Sequence, residues 1–231
     1  MEQIVDYSRQ QALDREMLNL KSHQHIIIGV GGVGFWLGLF LAMMGHKSFV
    51  LFEADKIQSS NLNRLPVPQT WVGQNKAIAL RKMMRMLRPD VNVLVMNTFM
   101  TEEGLSILDK FMNKTTRFTM VWDTTDDAKI QRKIYNWSKG KPRVKYNKIG
   151  YDGFEIGSYK EYSVWYNEET YERGYRNSMA NVITSALSAG FGIFNETLGE
   201  GEDFELNFRD LIRGGKNEPS QEATRDTVQV G

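Results

Sequence analysis

Short apolar runs alternate along this chain with stretches whose apolar positions recur every three to four residues. The first run is Ile26-Ile27-Ile28, within a strand expected over His25 to Ile28; its unbroken apolar character is that of a strand buried on both faces. A helix is expected from Gly32 to Met44, stopped by Gly45, with Trp36, Phe40 and Met43 on its core side. Further strands are read at 49–52, 91–96 and 118–122, and helices at 73–87, 102–112 and 127–137. Strand and helix alternating over short connections predict an α/β fold, a doubly wound, mostly parallel Rossmann-like sheet. Residues 54–72, marked by Pro66 and Pro68, read as a long polar loop.

The pattern changes after residue 140. Segments 143–146, 154–159 and 162–166 are short, aromatic and separated by glycine or charge, which predicts one more strand and a short antiparallel extension. An apolar helix is expected over 179–194. The resulting organisation is an amino-terminal helical arm at 1–20, an α/β domain at 21–212 and a loose tail at 213–231, where glycine, proline and polar residues dominate.

Candidate chemistry starts at the junction between the first strand and the first helix. Gly29-Val30-Gly31-Gly32-Val33-Gly34 joins them, and a glycine loop feeding a helix start cradles phosphates. Gly29 suits the tight turn, Gly31 and Gly32 the close approach of a ligand, and Gly34 the packing of helix on strand. Glu53 ends the second strand, 24 residues after Gly29, where an acid grips ribose hydroxyls. So far a nicotinamide-dependent oxidoreductase or a methyltransferase fits as well as an ATP-binding protein.

Charge and composition remove several classes. Twenty-nine basic against 28 acidic residues supply no argument for a nucleic-acid or membrane partner. The local basic group Lys139, Lys141, Arg143, Lys145 and Lys148 is expected to be a solvated face of a strand. Cysteine is absent, which excludes disulfides, a thiolate nucleophile and cysteine-ligated zinc. No uninterrupted apolar stretch reaches about 18 residues. With no basic-then-apolar leader at Met1, a cytoplasmic protein is the expectation.

Asp55 to Arg64 reads Asp-Lys-Ile-Gln-Ser-Ser-Asn-Leu-Asn-Arg, and Gly73-Gln74-Asn75-Lys76 follows. With these segments the chain resembles the superfamily of ubiquitin-activating enzymes and their bacterial relatives ThiF, MoeB and HesA. That family is marked by a Gly-x-Gly-Gly-x-Gly loop, an acid ending strand two, a Ser-Asn-Leu-x-Arg segment, a Gly-x-x-Lys helix start and an Asp ending strand four. All five occur here in order, and Tyr7-Ser8-Arg9-Gln10 is similar to the family's opening Tyr-x-Arg-Gln.

The resemblance implies ATP-dependent adenylation of the carboxyl-terminal glycine of a small ubiquitin-like protein or peptide, with Mg²⁺ as cofactor and a homodimer as the working form. It implies Glu53 as the ribose acid, Arg64 and Lys76 as the phosphate-holding pair, and Asn61 between sugar and phosphate. Asp123 is implied as the magnesium ligand; Asp126 and Asp127 beside it read as helix-start caps, with orientation of the metal's surroundings as the alternative for Asp126. Asp55 and Thr124 complete the nucleotide-binding set, with adenine expected near strand three and Thr124. Arg9 is implied to reach the partner's nucleotide. Elementary electrostatics asks for the same groups, since a carboxylate attacking an α-phosphate needs cations converging on the anion.

The chain departs from the family in three respects. The absent cysteines exclude a self-thioester step and the four-cysteine zinc site found in many relatives. Leu65 follows Arg64 where the family has glutamine. Tyr151, Tyr159, Tyr162, Trp165 and Tyr166 crowd the region of the usual crossover, as a peptide channel or as packing. The alternative to an enzyme is a catalytically idle scaffold similar to the regulatory half of heterodimeric ubiquitin-like activators. The final residue, Gly231, is itself the type of group such an enzyme activates.

Overall fold

The computed structural model of the chain describes residues 23–152, 155–160, 181–198 and 203–207. Three strands carry an entirely buried five-residue run: β1 (Gln24–Ile28), β2 (Ser48–Phe52) and β4 (Thr119–Asp123). Strand β3 (Asn92–Met96) is only partly buried, as an edge strand is. With β5 (Val144–Asp152), β6 (Glu155–Tyr159) and β7 (Phe204–Asn207) they form one sheet in the order β3-β2-β1-β4-β5-β6-β7. Neighbours from β3 to β5 run parallel, whereas β6 and β7 add on antiparallel. The mostly parallel sheet with its antiparallel extension is the expected architecture.

Successive strand residues face opposite sides, so the apolar runs feed two cores. Ile27, Phe49, Leu51 and Trp122 pack with Phe35, Leu37 and Leu41 of α1 (Gly32–Met43), Leu80 of α2 (Lys76–Leu87) and Ile193 of α5 (Val182–Leu198). On the other face Ile26, Ile28, Val50, Phe52 and Val121 meet Leu108 of α3 (Glu102–Met112) and Ile134 of α4 (Ala128–Ser138). The first core also holds a polar chain. The Trp122 indole N–H donates to Nδ1 of His25 at 3.0 Å, and Nε2 of His25 lies 2.9 Å from Nδ1 of His46. These contacts tie β4, β1 and the turn after α1 together inside the protein, where pairing offsets the cost of taking the polar groups out of water.

Several expectations shift. Helix α2 starts at Lys76 rather than Gly73, because Asn75 caps it by accepting the Ile78 amide at 3.0 Å. Strand β5 runs to Asp152, six residues past its expected end at residue 146. Helix α5 covers Val182–Leu198, later than expected, and β7 was not anticipated. Met43 is 53% exposed rather than core, while Trp36 and Phe40 lie partly buried against the first core. The basic group is not one solvated face: Lys145 is exposed, but Lys148 is 8% exposed and points into the sheet's edge. The expected arm at 1–20, the strand at 162–166 and the tail at 213–231 lie outside the described residues. Among the described residues no helix is long and apolar enough to cross a membrane.

Candidate functional site

The register aligns Ile28, Phe52, Met96, Asp123 and Lys148 across the carboxyl edge of the five parallel strands. Loops leaving such an edge build the ligand crevice of an open α/β sheet. The glycine loop leaves β1 there. Gly29 has φ +86°, a conformation that a side chain strains, and its amide donates to the Phe52 carbonyl at 3.0 Å. Thr124, just past β4, locks the loop from the other side. Its amide donates to Ile28 O at 2.9 Å, and its hydroxyl donates to Gly29 O.

The loop then turns into α1. Phe35 N donates to Gly31 O at 2.9 Å as the helix begins, and no side chain caps the start. The first-turn amides of residues 32–34 therefore point their N–H groups at whatever anion arrives. Around Gly31 there is open space, with no atom within 4 Å of where a Cβ would stand. At Gly34 the reverse holds, since a Cβ there would run into the Gly29 carbonyl and the Thr124 hydroxyl. Gly34→Ala is accordingly expected to lose about 1–3 kcal/mol of stability, because backbone meets backbone and neither can yield. Thermal denaturation checks this, with Gly31→Ala as a control that leaves the melting point in place.

Glu53 closes the floor of the crevice. It is 7% exposed, and its two carboxylate oxygens accept the Val30 amide at 2.9 Å and the Asp55 amide at 2.8 Å. The acid thus holds the glycine loop while keeping lone pairs for a further donor. Asn75 donates to the Glu53 carbonyl at 3.0 Å and to Asn97 Oδ1 at 3.0 Å. Lys76, the first residue of α2, donates its amide to Asp55 O at 2.9 Å and its ammonium to Asp55 Oδ2 at 3.1 Å. The lysine side chain is 13% exposed and Asp55 55%, so the pair sits at the mouth.

Arg64 comes from the polar loop, which folds through a short 3-10 turn at Ser59–Asn61. Asn61 is buried and its Oδ1 accepts the Gln58 amide at 3.0 Å, so this residue shapes the turn. The Trp36 indole donates to Arg64 O at 2.9 Å and pins the turn onto α1. The Arg64 side chain crosses Gly32, its Cδ 3.1 Å from where a Cβ would stand there, and its guanidinium donates to Ser60 O and Asn63 Oδ1. Leu65, the residue that departs from the family, faces inward and is part of the core.

Asp123 stands apart from this set. It is fully buried; Oδ1 accepts the Thr125 amide and hydroxyl at 3.0 and 2.7 Å, and Oδ2 accepts the Tyr146 hydroxyl at 3.0 Å. Burial pushes its carboxyl above the ordinary range, opposed first by the charge of Lys148. Lys148 is pushed down by the same burial and donates to Thr125 O at 2.8 Å. In this geometry Asp123 braces the loop after β4 from within, and its full burial keeps it from direct contact with a ligand in the crevice. Asp127 caps α4 through the Lys129 and Ile130 amides, and Asp126 is exposed. Among the described residues no group of three or more His, Asp or Glu side chains forms a metal cluster.

The edge therefore brings together Gly29, Gly31, Gly32, Gly34, Glu53, Asp55, Arg64, Lys76 and Thr124, while Arg9 lies outside the described residues. Tyr146 and Lys148 were missed as partners of Asp123, although their spacing of two on one strand puts them on the same face. The sequence profile described as the ThiF family matches residues 7–169. The chain belongs to the ThiF family. Among curated ThiF-related sequences, the ubiquitin-like modifier-activating enzyme 5 of Aedes aegypti is 33% identical over 119 residues, covering 48% of this chain and 30% of that protein. The tRNA threonylcarbamoyladenosine dehydratase of Haemophilus influenzae is 27% identical over 124 residues, covering 53% of this chain and 46% of the relative. The chain thus spans less than half the length of these relatives.

Solved structures share the ThiF-type fold at lower identity. PaaA superposes with a TM-score of 0.65 at 17% identity, over 91% of this chain and 83% of PaaA. E. coli MccB in complex with MccA gives 0.64 at 17% identity, over 89% and 72% of the two chains.

Proposed function

We propose that this ThiF-family chain binds ATP at the carboxyl edge of the sheet and adenylates the carboxyl terminus of a small protein or peptide ending in glycine. The observation that carries the reading is the convergence of the uncapped α1 amides, the Arg64 side chain and the Lys76–Asp55 pair on one crevice floored by Glu53. An acyl carboxylate approaching an α-phosphate brings like charge together. Arg64 supplies a planar fork of donors, and Lys76 a point charge beside a helix start, both in place before the charge develops. Glu53 orients the ribose, and Gly31 leaves the room in which phosphates lie against backbone.

A magnesium ion would neutralise part of the triphosphate charge. Asp126 is an exposed carboxylate at this edge, Asp55 is paired with Lys76 and Asp123 is enclosed, so phosphate oxygens and waters would make up most of its shell. Similarity to ubiquitin-like modifier-activating enzyme 5 supports a ubiquitin-like substrate, and the MccB complex with MccA supports a peptide one. With no cysteine in the chain to form a self-thioester, the reaction ends at the acyl-adenylate and pyrophosphate, or the acyl group passes to a thiol, amine or sulfur donor on another protein as AMP leaves. The active form is a homodimer in which Arg9 of each copy reaches the other's nucleotide.

Exchange of labelled pyrophosphate into ATP tests the reading against a panel of glycine-ended small proteins and peptides. Exchange that depends on one panel member supports it. Silent calorimetry with ATP and magnesium, together with no exchange, replaces the enzyme with the scaffold.

A further inference from the structure

Helix α5 begins beside the glycine loop, and its start carries a hydroxyl that the fold leaves unused. Asn181 caps the helix by accepting the Thr184 amide at 3.0 Å, so Ser185 lies in its first turn. The Ser185 amide donates to Asn181 O at 3.2 Å, but its Oγ is fully buried and has no hydrogen-bond partner among the described residues. Two other hydroxyls of α5 behave differently. Ser188 Oγ donates to Thr184 O at 2.8 Å and Thr197 Oγ1 to Ile193 O at 2.9 Å, each bonding back four residues along its own helix. Ser185 instead directs its Oγ at Gly32. A Cβ on Gly32 would collide with that oxygen, which stands nearer to Gly32 than the Ser185 Cβ does.

Three sources of positive potential therefore meet at Gly32. They are the uncapped start of α1, the first turn of α5 and the Arg64 side chain, whose Cδ lies 3.1 Å from the same point. Leaving a buried hydroxyl unpaired opposes folding, and an anion seated between the two helix starts removes that penalty by accepting its proton. We propose that Ser185 is a ligand of the nucleotide's phosphate chain, its hydroxyl reaching across from α5 to the anion held by the α1 amides. This rests on the reading of the crevice as an ATP site. It deepens that reading by making α5, more than 140 residues downstream of the glycine loop, part of the phosphate grip.

Calorimetric titration of the full chain and of Ser185→Ala with ATP plus magnesium, and separately with adenosine, tests the assignment. The variant removes only an oxygen without a partner, so its ligand-free melting temperature is expected to equal or exceed that of the unaltered chain. The ATP dissociation constant is expected to rise about tenfold, as for loss of a hydrogen bond to a charged group, with adenosine affinity unchanged. Equal ATP affinity in both proteins overturns the Ser185 assignment and leaves the ATP site standing, the hydroxyl then being a packing element between α1 and α5. Absence of ATP binding by the unaltered chain overturns both, and is seen before any variant is compared.

Discussion

Lys148→Met is expected to lower the stability of the chain by about 1–3 kcal/mol near neutral pH, because it removes the nearest opposing charge from the enclosed Asp123 and leaves the Thr125 and Ile149 carbonyls without their donor. Burial already holds Asp123 above its ordinary value of 3.8, and the Lys148 charge is the leading influence in the other direction. Without that cation the native carboxyl rises further. An acid whose native value exceeds its unfolded one keeps a proton in the folded chain after the unfolded chain has lost it. Unfolding then releases protons, so stability is fully present below about 3.8 and falls as pH climbs towards the native value. Lys148 has the opposite sense, since burial sets it below 10.5: its contribution is complete above 10.5 and is lost as pH drops through the native value. Urea denaturation of Lys148→Met at pH 5 and pH 8 is expected to show the larger deficit at pH 8. Asp123→Asn combined with Lys148→Met is expected to remove the pH dependence of the deficit, since no buried carboxyl is then left to titrate, while the loss at the Thr125 and Ile149 carbonyls remains. An identical deficit at both pH values would rule Asp123 out as the group left exposed to the change.

The second large effect is on chemistry rather than folding. Lys76→Ala and Arg64→Ala are each expected to reduce pyrophosphate exchange by about 10²–10³-fold, the range for removing one preorganised donor from a developing anion. Folding is expected to hold, because the Lys76–Asp55 pair sits at the mouth and such a partly exposed pair is worth about 0–1 kcal/mol. Exchange kinetics beside a melting curve separates the two consequences. Rates within threefold of the unaltered chain, at an unchanged melting point, would remove both cations from the reaction.

Legibility in the sequence followed the distance over which each contact is made. Gly29 to Gly34 and the apolar runs at Ile26, Phe49 and Val121 are local signals, and the doubly wound sheet was plain from them. Lys76 and Arg64 were readable only as members of an ordered family pattern; the fold sets Lys76 on Asp55 and lays Arg64 across Gly32. What escaped needed knowledge of partners far along the chain. Asp123 looks the same at a strand end whether it faces solvent or a Tyr146–Lys148 wall; the choice is made by the register of β5 against β4. Ser185 is one hydroxyl among several in an apolar helix until α5 is laid beside Gly32. Even Leu65, read as a lost glutamine, turns out to be a residue that faces the core and anchors the base of the Arg64 turn.

Asn75 has a consequence for how a ligand would be felt by the protein. One carboxamide joins the strand end at Glu53, the first turn of α2 and Asn97 on the edge after β3. The groups that the proposed function assigns to the sugar and to the phosphates therefore share a single bracket, so that a shift of one is passed to the other. A nucleoside and a separate pyrophosphate should on this account sense each other's presence, each finding the frame already tightened by its companion.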